Sequence, residues 1–210
     1  MVILGLTGSI AMGKTTAAQM FSRLGVPVYD ADRAVHRLLG RGGAAVGRIE
    51  TAFPSVTCDG AVDRAALAAR VFGNDEALRL LEGVLHPLVD SDKKGFLRRA
   101  ALHRRRLVIL DIPLLFETGG QRDCDAVAVV SAPALVQEQR LLQRPGMNRD
   151  RMAAILERQM SDAEKRRRAD FVIPTGLGRA FTLRIVKTII DEVRHWRGTK
   201  WPPRAFSTMN

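Results

Sequence analysis

The chain opens on an unbroken apolar run. Val2–Thr7 shows no polar alternation, which predicts a short strand buried on both faces and stopped by Gly8. Lys14–Leu24 then carries Ala17, Ala18, Phe21 and Leu24 at helical spacing, with Gly25 as its C-terminal stop. Val26–Tyr29 is a second short strand. It leads into Asp30-Ala31-Asp32 and a helix to about Leu39.

The stretch from Gly40 to Arg104 has helical periodicity and no strong strand signal. Helices are expected at Ala44–Phe53, Arg64–Val71, Asp75–Leu85 and Pro87–His103, with Pro87 in the first turn of the last. Apolar strands resume at Leu107–Ile112 and Ala126–Val130. Helices at Ala132–Gln143 and about Asp150–Arg168, a short strand at Phe171–Ile173, and a final helix of about 20 residues follow. Strand, turn and helix repeated with helical crossovers predict a parallel sheet covered on both faces. Ligands of such sheets bind beyond the carboxyl ends of the strands. We expect one domain over 1–197, with its core at about 1–39 and 105–197. A helical insertion at about 40–104 serves the second substrate, a lid covers about 144–165, and a loose tail runs over 198–210.

Composition narrows the class. Of 210 residues 46% are hydrophobic and 26% charged, enough apolar material for a packed core. The net charge of +11 comes chiefly from 27 arginines against 6 lysines, and fits nucleic acid, an anionic surface or a polyanionic small substrate. Aromatics are only 5% and no nucleic-acid motif is present, which argues against a nucleic-acid-binding ATPase. Cys58 and Cys124 form no CxxC pair and have no His at metal spacing. No apolar run is long enough to span a bilayer, so a cytoplasmic protein without a membrane or nucleic-acid partner is expected.

Gly8-Ser9-Ile10-Ala11-Met12-Gly13-Lys14-Thr15 matches G-x-x-x-x-G-K-[ST], a phosphate-binding loop between strand and helix. Its glycines let successive N–H groups turn inward around phosphate oxygens, and the helix adds its positive end. Gly8, Ala11, Met12, Gly13, Lys14, Thr15 and Thr16 are the expected ATP-phosphate contacts. Lys14 reaches the β- and γ-phosphates, and Thr15 ligates Mg²⁺. The fold class is therefore α/β, a P-loop NTPase with three layers, a helical insertion and a lid. No N-K-x-D segment marks a guanine-reading GTPase.

Three further segments qualify the chemistry. Asp32, just after the second strand, is either a base for an acceptor hydroxyl or a cap for the next helix. Asp111 ends an apolar strand where a P-loop enzyme keeps a Mg²⁺-linked acid. The loop that follows carries Pro113, Leu114, Leu115, Phe116 and Glu117, and is either packed or substrate-contacting. Arg140 and Arg144, one turn apart beside Pro145-Gly146, are either lid arginines that meet the transferring phosphoryl group or part of a charged helix face. His86, before Pro87, reads as structural or substrate-binding.

In this order the segments resemble the dephospho-CoA kinase family. The resemblance rests on Gly5-Leu6-Thr7-Gly8 running into the P-loop, Asp30-Ala31-Asp32, Leu85-His86-Pro87, Asp111 through Glu117, Gln139-Arg140-Leu141 with Arg144, Arg158-Gln159, and Ala169 through Ile173. It spans about Met1 to Gly176. It implies transfer of the ATP γ-phosphate to the ribose 3′-hydroxyl of dephospho-CoA, with Mg²⁺. Asp32 would be the base, Lys14, Arg140 and Arg144 catalytic, and His86, Asp111, Pro113, Leu114, Leu115 and Glu117 would lie on the acceptor side. A monomer or small homo-oligomer is expected. Two positions depart from the family pattern. Ala11 stands where glycine is usual, and Thr175 where an asparagine precedes Gly176. A different small-metabolite kinase shares the loop and lid but needs another acceptor pocket.

Overall fold

The computed structural model describes residues 1–157 and 159–202. Arg158, part of the family-like segment, and 203–210 lie outside them. The chain forms two compact units, Met1–Tyr29 with everything from Arg99 onward, and Asp30–Arg98.

In the first unit β1 (Val2–Thr7) runs into α1 (Lys14–Arg23), and β2 (Val28–Asp30) closes this part of the chain. The second unit holds α2 (Ala31–Leu39), α3 (Val46–Ala52), β3 (Thr57–Cys58), β4 (Ala61–Val62), α4 (Arg64–Val71) and most of α5 (Asp75–Leu102). The first unit resumes with β5 (Leu107–Asp111), β6 (Ala126–Ser131), α6 (Ala134–Leu142), α7 (Arg149–Glu157), α8 (Asp162–Arg168), β7 (Phe171–Pro174) and α9 (Arg179–Val193).

The sheet order is β2-β5-β1-β6-β7. β1 sits in the middle, parallel to β5 on one side and β6 on the other, and β6 pairs in parallel with β7. Every residue of β1, β5 and β6 is buried, which is why these strands read as continuous apolar runs. Val2, Leu4 and Leu6 join Phe21 of α1 and Val186, Ile189 and Val193 of α9 in one core. Gly5 points to the opposite face. A Cβ there would come within 2.7 Å of Leu115 and 2.9 Å of the Cys124 sulfur, so the loop after β5 packs on the sheet only because residue 5 has no side chain.

Four boundaries differ from the sequence reading. α5 is one 28-residue helix with Pro87 inside it, not two helices. Its apolar stripe Leu81, Val84, Leu85 and Leu88 packs into the second unit's core on both sides of the proline, and this packing carries the helix through. β3 and β4 form a hairpin whose Asp59-Gly60 turn has φ of 51° and 74°, the geometry an Asp-Gly turn favours. The helix expected over Asp150–Arg168 is two, because Ser161 caps α8 by accepting from the Glu164 N–H. α6 runs over Ala134–Leu142, inside the expected Ala132–Gln143, and Arg144 lies beyond it in a turn rather than one helical turn along from Arg140, because Pro145 disfavours helical backbone in the residue ahead of it. At the tail, Asp125 accepts from Thr199 N at 2.6 Å, Thr199 Oγ1 at 3.0 Å and Lys200 N at 3.2 Å, so these first tail residues are tied down. No helix among the described residues is long and apolar enough to cross a membrane.

Candidate active site

The loop between β1 and α1 is shaped by two glycines and by hydrogen bonds from residues outside it. Gly8 lets the chain pass over β6, since a Cβ there would lie 2.6 Å from the Val130 carbonyl oxygen. Gly13 has φ 91°, and a Cβ there would meet Thr175 at 3.1 Å. Ile10 O accepts from Gln137 Nε2 at 2.9 Å, Ala11 O from Arg140 Nη1 at 3.4 Å, and Met12 O from Thr175 Oγ1 at 2.6 Å. In a planar trans peptide the N–H points opposite to the preceding C=O. Holding these three carbonyls therefore turns the N–H groups of Ala11, Met12 and Gly13 the other way. Met12 N–H closes a turn on Ser9 O at 3.2 Å. Ala11 and Gly13 N–H are thus aimed with the first turn of α1. That turn has no side-chain cap and no acidic residue. Uncapped N–H groups at a helix start, beside inward-turned loop amides, make an anion site.

Lys14 lies at this helix start. Its Nζ is 2.6 Å from Asp111 Oδ1, with side chains 17% and 5% exposed. The pairing follows from strand register: Asp111, the last residue of β5, stands beside Leu6 of β1. Thr7 Oγ1 donates to Pro113 O at 2.8 Å, which ties the following loop to the same strand end. Thr15 is exposed and Thr16 half-buried in the first turn of α1. No cluster of three or more metal-ligating side chains occurs among the described residues. A hydroxyl and a carboxylate are hard oxygen donors, and Mg²⁺ takes few protein ligands, completing its shell with phosphate and water. The residues present fit that ion.

The loop after β5 divides its residues. Leu115 is fully buried and Phe116 nearly so, while Leu114 is 40% exposed. Glu117 accepts from Met160 N at 2.9 Å and lies 2.9 Å from Nζ of Lys165, whose side chain is fully buried. Burial alone would raise the Glu117 carboxyl. The Lys165 ammonium, with the N–H groups of Glu117 and Met160, outweighs it and holds the group below the ordinary glutamate range. Leu115 and Glu117, expected on the acceptor side, are thus engaged in packing and in bracing the loop.

The arginines also divide. Arg140 donates to Ala11 O, to Thr175 Oγ1 at 3.1 Å and to Thr175 O at 2.8 Å. Arg149 pairs with Glu138 at 3.2 Å, and Arg151 donates to Gly146 O at 2.7 Å. Arg144 is exposed in the turn after α6. Thr175, 8% exposed, lies beneath the loop with its hydroxyl between Met12 O and Arg140. The sequence reading does not reach Gln137, and it names Gln159 and Thr175 without these contacts. A signal for Gln137 existed: it is a polar residue on the same helix stripe as Arg140 and buried Leu141.

In the second unit Asp30, not Asp32, caps α2, accepting from Arg33 N at 2.9 Å. Asp32 is exposed in the first turn of that helix. His86 is exposed on α5.

A family model described as dephospho-CoA kinase matches residues 2–177. The dephospho-CoA kinase of Mesorhizobium japonicum is 53% identical over 199 residues, covering 95% of this chain and all of that one. That of Paramagnetospirillum magneticum is 60% identical over 166 residues, 79% of this chain and 78% of that one. Among solved structures, a Thermus thermophilus protein is 34% identical with a TM-score of 0.80, over 91% of this chain and 97% of that one. The dephospho-CoA kinase from Campylobacter jejuni, 24% identical, shares the fold with a TM-score of 0.63, over 91% and 96% of the two chains. A glycine-shaped anion loop with a helix-start lysine, on a chain so closely matched over most of its length, belongs to the dephospho-CoA kinase family.

Proposed function

We propose that this chain transfers the γ-phosphate of ATP to the ribose 3′-hydroxyl of dephospho-CoA, yielding CoA and ADP. The observation that carries the reading is the anion loop, its three carbonyls held outward, in a chain of this family.

The N–H groups of Ala11, Gly13 and the first turn of α1 bind the phosphate oxygens, and Lys14 meets the β- and γ-phosphates. Thr15 and Asp111 are the residues that would hold Mg²⁺, which when bound would neutralise charge on the phosphates. Asp32 accepts a hydrogen bond from the 3′-hydroxyl, orients it, and takes its proton as the bond from O3′ to phosphorus forms. The bond from phosphorus to the β,γ-bridging oxygen breaks, and the electron pair leaves with ADP. Arg144 serves the transferring group from a lid over 144–165. Arg140 acts through the loop carbonyl it holds, that of Ala11, and through Thr175 beneath the loop. The 40–104 insertion, His86 among its residues, serves the CoA moiety, and Pro113 and Leu114 are acceptor-side residues of the loop after β5. Both substrates are water-soluble anions, in keeping with the net charge of +11 and with action in the cytoplasm, as monomer or small homo-oligomer.

The test is ATP consumption by the full chain with dephospho-CoA, with other ribose- or sugar-bearing acceptors, and with DNA or RNA. CoA phosphorylated at the ribose 3′ position, identified by mass and fragmentation, is the expected product. Faster turnover with a different acceptor, or stimulation only by nucleic acid, would overturn the proposal.

A further inference from the structure

Two glutamines far from the anion loop in sequence converge on one of its residues. Ile10 N–H donates to Gln159 Oε1 at 3.1 Å, and Gln137 Nε2 donates to Ile10 O at 2.9 Å. The partners dictate how each amide is turned: an N–H needs an oxygen opposite it, and a carbonyl needs an N–H. These bonds hold the two peptide planes that flank the Ile10 α-carbon. The first plane is held with its N–H spent on Gln159, outside the set of donors open to a phosphate. The second is held with its C=O on Gln137, which aims the Ala11 N–H the opposite way.

The loop needs such support. Ala11 has φ 61°, a region that residues with a side chain rarely adopt. Both glutamines are themselves fixed. Gln137 is 7% exposed on α6, one turn from Arg140, which holds the next carbonyl of the loop. Gln159 lies between α7 and α8. Its neighbour Met160 donates to Glu117, which pairs with Lys165.

We infer that Gln137 and Gln159 are positioning residues for the ATP phosphates: one by donating to, the other by accepting from, the same residue of the loop. The inference rests on the reading that this loop binds ATP. It extends that reading to Gln137, which no family-like motif contains, and gives Gln159 a specific task.

The test uses the full chain with Mg-ATP, by direct calorimetric binding and by steady-state kinetics. Gln159→Ala and Gln137→Ala should each raise the Kd and KM for ATP by about tenfold, the loss of roughly one hydrogen bond. The KM for dephospho-CoA should move less than twofold. A general loss of folded protein would instead lower apparent kcat and leave both KM values alone. Gln159→Glu keeps an acceptor for the Ile10 N–H, whereas Gln137→Glu removes the donor and sets a carboxylate against a carbonyl. Both add one negative charge beside the same residue, so repulsion of phosphate is common to the pair. Gln137→Glu should therefore bind ATP at least about fivefold more weakly than Gln159→Glu. If buried Gln137→Glu fails to fold in a thermal melt, Gln137→Ala and the half-buried Gln159 variants decide the matter. ATP binding by Gln159→Ala within twofold of wild type overturns the inference, as does equal weakening by the two Glu variants. If wild type itself binds no ATP, the nucleotide reading fails rather than the role of the glutamines.

Discussion

Lys14 Nζ lies 2.6 Å from Asp111 Oδ1, a contact that joins the helix after β1 to the last residue of the neighbouring strand. Lys14 thus has two tasks. It presents a cation at the anion loop, and it neutralises a carboxylate that is only 5% exposed.

Lys14→Ala should cut turnover by about a hundredfold or more, the scale of losing a charged contact to a transferring phosphoryl group. It should also cost about 1–3 kcal/mol of stability, because it withdraws the cation from a buried carboxylate. Adding Asp111→Asn should restore most of the melting temperature and none of the activity. Recovery of turnover in the double variant would show that Lys14 serves folding alone.

The Glu117–Lys165 pair makes stability depend on pH. The folded-state carboxyl is held below its ordinary value, so the folded state binds that proton less readily than the unfolded chain. Its contribution is therefore complete above the unfolded value, about pH 4.3, and fades as pH falls through the lower folded value. Glu117→Gln should be less stable than wild type at pH 7, and the gap should narrow toward pH 3. Urea unfolding across that range measures it. A gap that widens on acidification would mean that the pair contributes no net stability.

Ala11 sits at φ 61° where the family pattern has glycine. The left-handed region costs a residue with a side chain about 1–2 kcal/mol, while glycine gives back part of that gain as unfolded-chain entropy. Ala11→Gly should raise stability by about 0.5–1 kcal/mol and leave the KM for ATP within twofold. A lower melting temperature would show that the methyl group packs favourably enough to offset the backbone strain.

The strands that carry the loop were legible because burial on both faces writes itself as unbroken apolar runs at Val2–Thr7, Leu107–Asp111 and Ala126–Ser131. The P-loop itself was legible because glycine and lysine spacing is forced by phosphate geometry. The loop's supports were not. Gln137, Gln159 and Thr175 meet it across separations of 127, 149 and 163 residues, and no local pattern encodes such contacts. Arg140 reads from sequence as a lid residue, since a guanidinium looks alike in sequence whether it meets a phosphate or a carbonyl. Local preference breaks α5 at Pro87, whereas the apolar stripe that continues beyond it carries the helix through.

Arg140 and Arg144 should therefore separate kinetically. Arg140→Ala releases Ala11 O and both Thr175 contacts, and should raise the KM for ATP several-fold. Arg140→Lys should not rescue it, because one ammonium cannot span those acceptors. Arg144→Ala should lower kcat more than it raises the KM for dephospho-CoA, as expected of a group engaged in the transition state. If Arg144→Ala weakens only ground-state nucleotide affinity, it is a binding residue.

Asp32 is proposed as the base, the least obvious of the assigned roles. A ribose hydroxyl is a very weak acid, so its proton needs an acceptor as the new O–P bond forms. A carboxylate within hydrogen-bond reach both orients the hydroxyl and takes the proton. Asp32 reads from sequence as either a base or the cap of α2, and the cap is Asp30, which accepts from Arg33 N–H at 2.9 Å. Asp32 is left exposed in the first turn of the helix, free of that structural duty. Asp30→Ala should cost about 1 kcal/mol of stability through the lost cap, and Asp30→Asn much less, because its amide oxygen still accepts. Asp32→Asn should leave the melting temperature and ATP affinity nearly unchanged while kcat falls by about a hundredfold or more. The KM for ATP and for dephospho-CoA should move far less than kcat in that variant, a split that a merely structural residue would not produce. Normal turnover by Asp32→Asn together with a dead but folded Asp30→Asn would reverse the assignment. Near-normal rates in both would leave the reaction to positioning and electrostatics, with no base supplied by this segment.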